Sequence, residues 1–413
     1  MPKWEFVEYQ ELASGDRSAF SMGPFGSKIT KDNYIPSGVP VVRGTNLAKG
    51  IFIDEGFVFI SDSKADEISS SNVLPGDLIF THRGTIGQVS MLPRNPRYER
   101  YTIGSSQVKT RLDESRALPE FYYYWFQSPE GQLSILANSS TVGVPGIATP
   151  LTSIRKLKVP HPTLSEQRAI AEVLGALDDK IALNERITET IINLSESLYI
   201  EETSPHRSTF SVRLKSAARW LSGGTPRSDE PLYWSGSIPW ISGASLKQFI
   251  IRDSDRRVTG LGAANGTKMA PTGATLCLVR GMSLKTEFRV GIATRPVAFG
   301  QDCKALIAAD GIGPHTLAYA IRSKRGQVLG LVDEAGHGTG RLDSGLLGSV
   351  EIEVPSGPEA ATLESKLADL TMLATAHEEE SAALIKLRDT LLPKLMSGEI
   401  RVHEPESLAV DSL

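Results

Sequence analysis

The sequence predicts an α/β (α+β) globular unit used twice, each copy followed by a long helix, with the two helices pairing as an antiparallel coiled coil in a pseudo-twofold repeat. Three observations lead there. The chain of 413 residues matches itself, weakly but in order, at an offset of roughly 195–199 residues. A seven-residue apolar repeat runs through the segment that follows each matched region. The matched regions themselves alternate short apolar runs with Gly, Pro, Asn and Asp, the texture of short strands between turns.

The first globular segment spans residues 1–160. Within it Val39–Val42, Gly56–Ile60 and Leu78–Phe80 read as strands, and 118–137 as a helix entered through Pro119. The aromatic run Phe121 to Phe126 has helical spacing and is assigned to the core rather than to base stacking. Residues 161–200 form the first spacer. No Pro and only Gly175 interrupt 165–199, Ser165 is the expected N-cap, and Glu166 suits the positive end of the helix. At about 1.5 Å per residue such a helix would be a rod of roughly 52 Å.

The second globular segment, 201–357, repeats the pattern, with strands at Leu276–Val279 and Lys304–Ala308 and a helix over 314–330. The second spacer is 358–400, and 401–413 is a polar, unpatterned tail with no expected order. Matched pairs across the two segments are Tyr34/Tyr233, Pro40/Pro239, Gly44/Gly243, Leu47/Leu246, Arg83-Gly84/Arg280-Gly281, Lys109/Lys304, Gly143/Gly338 and Val159-Pro160/Val354-Pro355.

The seam of the first spacer is Ile170, Leu177, Asn184, Ile191 and Leu198; that of the second is Leu363, Leu370, His377, Leu384 and Leu391. Antiparallel pairing sets Ile170 against Leu391, Leu177 against Leu384, Ile191 against Leu370, and Asn184 against His377. A buried Asn–His pair would fix register at some cost in stability. The alternative, a solvated histidine at the seam edge, stands beside it.

Charge separates along the chain. The net formal charge is −4, yet residues 1–160 carry +1, 161–200 carry −4, 201–357 carry +5 and 358–413 carry −6. The globular segments therefore suit phosphate contact, and the acidic helices suit protein docking or spacing. Two cysteines in so long a chain argue against a disulfide scaffold, and no run of 18 apolar residues occurs. With no apolar leader at the start, the expected location is the cytoplasm. There is no Walker loop, no His-Glu-x-x-His, no Gly-x-Ser-x-Gly, no Cys/His ligand set and no Asn/Asp-Pro-Pro-aromatic methyltransferase motif. The expectation is a chain without an active site.

Phe25-Gly26-Ser27-Lys28, PGDLIFTHRGTIG, VPHPTLSEQRAIAEVLGALDDKI and LRDTLLPKLMSGEI, set in two diverged units that each end in Val-Pro and a long helix, resemble the DNA-specificity subunit of type I restriction–modification systems over essentially residues 1–402. The second half departs from the pattern, with EAATLES where the first has the Glu-Gln of Leu164 to Arg168. The resemblance implies a non-catalytic subunit in which each globular segment is a target-recognition domain for one half of a bipartite, asymmetric DNA site. It implies that the helices act as spacer and docking surface for two adenine methyltransferase subunits, which would supply S-adenosylmethionine, and that a restriction/motor subunit joins through them. No cofactor or metal is expected on this chain.

Two domains that read different sequences should agree where they position phosphates and differ where they read bases. Arg83 and Arg280 agree and are assigned to backbone contact or loop bracing, as are Lys109 and Lys304. Candidate base readers are His82, Thr85 and Gln88 in the first half and Ser283, Lys285 and Arg289 in the second. Arg43 and Asn46, against Ser242 and Ser245, form another such set, and Lys28 joins the candidate contacts. Arg suits guanine and Gln or Asn suits adenine. The competing reading is a coiled-coil structural adaptor whose globular segments bind protein.

Overall fold

β-Branched and aromatic residues in runs of three to six, cut by Gly, Pro and Asp, fold here into small sheets rather than one large one. The computed structural model describes residues 4–25, 28–137, 139–140, 143–335 and 338–402. Gly26 and Ser27 of the quoted motif and the tail at 403–413 lie outside the described residues. The chain divides into two units, Met1–Asp179 with Leu384–Leu413, and Lys180–Ala383. Each spacer helix is therefore shared between the units.

In the first unit one antiparallel sheet has the order Phe20–Met22, Gln107–Thr110, Leu78–Thr81, Val89–Met91. A second has the order Val58–Ile60, Val39–Val42, Tyr101–Ile103, Asn72–Val73, with only the central pair parallel. The second unit repeats both. Ala218–Ser222, Cys303–Ala308, Thr275–Leu278 and Val290–Ala293 follow the first order, with Ile250–Ile251 added in parallel. Arg257–Val258, Trp234–Ile241, Val297–Phe299 and Lys268–Ala270 follow the second, again with only the central pair parallel. Shared strand order with the same single parallel pair is the pseudo-repeat in structural form.

The recurring Val-Pro has a structural cause. Lys158–Pro160 pairs antiparallel with Phe6–Glu8, and Glu351–Pro355 with Thr209–Arg213. Each ribbon closes its globular segment just before the long helix, with Val159 and Val354 pointing into the core. The aromatic run expected in the core is there: Phe121, Tyr122 and Phe126 are fully buried, and Phe126 packs edge-on against Phe80 and Tyr9. Cys277 and Cys303 are buried in the second unit as free thiols, pushed up in pKa by that burial.

The first long helix is Leu164–Glu202 and the second Pro358–Met396. Thr163, rather than the expected Ser165, caps the first: its hydroxyl accepts from the Glu166 amide at 3.3 Å while the Glu166 carboxylate accepts from the Thr163 amide at 3.1 Å. This reciprocal pair is a capping box that starts one residue before the helix.

The seam also serves the globular cores. In the first unit Ile170 and Leu174 join a core with Leu392, Leu395 and Met396, and Leu391 packs against it. In the second, Ile191, Leu363 and Leu367 join the core, with Leu198 and Leu370 against it. Leu177 and Leu384 are half-buried. Asn184 is fully buried; its Oδ1 lies 3.2 Å from His377 Nδ1, and its amide donates to Glu380 at 2.9 Å. Lys180 reaches the same carboxylate at 3.1 Å.

Gln167, within the Leu-Ser-Glu-Gln-Arg run, ties helix to domain. Its buried amide oxygen accepts from Leu118 N–H at 2.7 Å, and its nitrogen donates to the carbonyls of Pro162 (2.9 Å) and Arg116 (3.2 Å). In the second unit Glu364 takes this place despite the missing Glu-Gln, accepting from the amides of His315 (3.0 Å) and Thr316 (2.9 Å), the Thr316 hydroxyl and the His315 ring. Burial alone would raise the Glu364 pKa, but these hydrogen bonds outweigh it and hold the carboxyl below its ordinary range.

Candidate nucleic-acid interface

In both units the matched Arg-Gly sits where a central strand of the first sheet runs out into a loop, and both are held by backbone. Arg83 bridges to Gly146 and Gly84 N–H donates to the Pro145 carbonyl at 2.9 Å, docking the loop on the ribbon Ser139–Ser140/Gly146–Ile147. Arg280 and Gly281 pair with Arg341 and Gly340 on the hairpin Val332–Ala335/Thr339–Leu342. Gly84 and Gly281 have φ of +92° and +158°, so the first needs glycine to make the turn. The backbone is thus used for bracing. Both guanidiniums remain exposed, without a hydrogen-bond or ion-pair partner among the described residues.

The other candidates divide by exposure. Lys28 and Thr85 are exposed in the first unit and Lys285 in the second. The Lys285 ammonium reaches the hairpin turn, lying 3.5 Å from where a Cβ on Gly338 would stand. Gln88 is half-buried, its side-chain oxygen accepting from the Thr81 hydroxyl at 3.1 Å. Arg43 is half-buried, donating to the Gly56 carbonyl at 3.2 Å. Arg289 is half-buried between the Glu287 carboxylate (2.9 Å) and the Gly243 carbonyl (3.0 Å). Ser283 closes a turn by accepting, through its carbonyl, from the amides of Thr286 and Glu287. Lys304 is half-buried on an interior strand of its sheet, between Ser222 and Cys277, and donates to the Ser222 hydroxyl at 2.7 Å.

Three expectations are corrected. Lys109 is 1% exposed; its ammonium donates to the Asn72 carbonyl and lies 4.0 Å from Asp77, so it is an interior brace and not a DNA contact. Burial lowers its pKa, against the pull of the Asp77 charge. Asn46 is also 1% exposed. It accepts from Arg43 N–H and donates to the carbonyls of Ile53 and Glu55, pinning the loop from inside. Ser245 does the corresponding job, its hydroxyl accepting from Ser242 N–H at 2.8 Å. The Asn46/Ser245 difference therefore marks two solutions to one turn rather than two base readers. His82 is buried with Nε2 at 3.2 Å from the Ser105 carbonyl oxygen, and burial lowers its pKa, so it shapes the loop at 104–107 instead of facing solvent.

That loop was missed in the sequence. Gly104, Ser105, Ser106 and Gln107 line a cleft of about 190 Å³ with Tyr34 and Arg43. The repeated Tyr34 was the available signal. Among the described residues no three His, Cys, Asp or Glu side chains gather as a metal site, and no helix is long and apolar enough to cross a membrane.

Residues 3–193 match the family described as the type I restriction modification DNA specificity domain. The chain is similar to the EcoR124I/EcoR124II type I restriction enzyme specificity subunit of Escherichia coli, 24% identical over 301 residues, 69% of this chain and 71% of that one. It is similar to the HindI specificity subunit of Haemophilus influenzae, 20% identical over 85% of this chain and 94% of the relative. In fold it resembles the crystallised type I restriction–modification S subunit from M. genitalium, with a TM-score of 0.57 at 16% identity over 95% of this chain and 96% of that one.

Proposed function

We propose that this chain, which belongs to the family of type I restriction–modification DNA specificity subunits, is the non-catalytic subunit that reads a bipartite, asymmetric duplex site, one half with each unit. The observation that carries the reading is the duplicated loop. Two units with one strand order each brace an Arg-Gly by its backbone and leave the guanidinium free, at the end of a sheet whose neighbouring loop side chains differ. Agreement at the arginine suits phosphate positioning, and difference around it suits base reading.

The long helices are the docking surface for two adenine methyltransferase subunits and, through them, a restriction/motor subunit in the bacterial cytoplasm. Exposed apolar side chains on the helices support this: Leu194 and Met372 in the second unit, Leu387 in the first. Such side chains on an otherwise acidic helix favour a protein partner over DNA.

The test is duplex binding by the chain assembled with its methyltransferase partner, at two salt concentrations. R83A weakens binding to all sequences alike, whereas substitution of Gln88 relaxes preference at one base position. An R83A protein with altered preference and undiminished affinity contradicts the assignment, and absence of any salt-dependent duplex binding overturns the reading in favour of a protein-binding adaptor.

A further inference from the structure

We infer that the second unit holds a DNA backbone phosphate between Arg280 and Arg341, a contact the first unit lacks; the inference rests on the DNA-reading function proposed above. Arg280 and Arg341 are direct antiparallel partners across two strands, so their side chains leave the same face of the ribbon with Cβ atoms about 5 Å apart. Both are exposed, and neither has a hydrogen-bond or ion-pair partner among the described residues. Asp333, the next residue across the ribbon from Arg341, forms no ion pair with it.

Like charges directly opposed on a ribbon destabilise it. Asp333 stands opposite Arg341 on that face but holds neither guanidinium in an ion pair, so both forks stay open and a single phosphate can accept from both at once. A base edge is the poorer fit, since two adjacent forks would compete for the same acceptors on one guanine.

The first unit has the same loop-on-ribbon arrangement but places Gly146 opposite Arg83. A side chain at Gly146 is sterically admissible: its Cβ would meet only the carbonyl oxygens of His82 at 3.6 Å and Val144 at 3.8 Å. Directly beside the matched arginine the units thus differ by Gly146 against Arg341, with Ser140 against Asp333 on the strand beyond, and the extra arginine makes the two half-sites unequal in their phosphate contacts.

The experiment measures affinity of the full-length chain for a mixed-sequence duplex across a salt series, because a phosphate contact is independent of sequence. R341Q and R280Q each reduce the slope of log K against log salt by about 0.9 and weaken binding about tenfold at low salt. G146R raises the slope by about 0.9, installing the contact in the first unit.

If the wild-type chain binds the duplex with a salt-dependent affinity but R341Q, R280Q and G146R leave the slope unchanged, this inference fails and the DNA-reading function stands. A slope unchanged alongside a base preference altered by R341Q likewise overturns the phosphate assignment. If the wild type shows no salt-dependent binding, both fall.

Discussion

Replacing Gln167 by Ala tests how the first long helix is tied to its domain. The side chain is fully buried and makes three hydrogen bonds, to Leu118 N–H and to the carbonyls of Pro162 and Arg116. Leu118 caps the helix Pro119–Gln127 and has no side-chain oxygen of its own to offer that helix's orphan amides. Each lost hydrogen bond costs about 1 kcal/mol net, and an orphaned buried donor about 1–3 kcal/mol. With the orphaned Leu118 donor at about 1–3 kcal/mol and the other two bonds at about 1 kcal/mol each, Q167A costs about 3–5 kcal/mol, a large fraction of the stability of an ordinary domain.

Urea unfolding of the full chain, followed by circular dichroism, reads this out. Arg168→Ala, one residue on and exposed, is the control and changes stability by less than about 0.5 kcal/mol. Q167E keeps the acceptor toward Leu118 but turns a carboxylate on two carbonyl oxygens. It is therefore destabilising at neutral pH, and part of the loss returns as the pH falls and the carboxyl protonates. A Q167A chain within about 0.5 kcal/mol of the R168A control would refute the anchoring role.

Two further outcomes follow from buried groups. Burial raises the Glu378 carboxyl from 4.5 to about 7, opposed by the Arg252 charge. Because the unfolded chain gives up this proton more readily, the destabilisation it causes grows as the pH rises from 4.5 to 7 and is constant above. E378Q accordingly raises stability at pH 8 by about 1–3 kcal/mol and has no effect near pH 4, as thermal melts at the two pH values would show; equal effects at both contradict it. N46A costs about 2–3 kcal/mol through its three lost hydrogen bonds and leaves base preference unaltered, which urea melts and binding-site selection would check.

The duplication, the α/β texture and the two long helices were legible because periodicity and repeated Gly, Pro and Arg positions survive divergence. The site was legible only in part. Arg83 and Arg280 announced themselves by recurring, and both ended exposed on matching loops. Lys109 and Lys304 recurred equally well, yet Lys109 is interior, because a repeated lysine in a strand can brace a core as well as meet a phosphate. Asn46 looked like an adenine reader by residue type, and only the fold shows its amide spent on Ile53 and Glu55. Gln167 lies in a recognisable motif whose purpose only the fold reveals, and Glu364 carries no such motif because an acceptor can replace an amide where the partners are all donors.

The ribbons that close each globular segment have a consequence for variation. Phe6–Glu8 lies alongside Lys158–Pro160, and Thr209–Arg213 alongside Glu351–Pro355, so each segment is entered and left through one pair of neighbouring strands. Everything between, including the loops around Arg83 or Arg280, is a closed excursion whose ends are already joined. Its contents can change length or composition while the exit geometry into the long helix stays fixed, which makes each segment an exchangeable cassette on a constant mount.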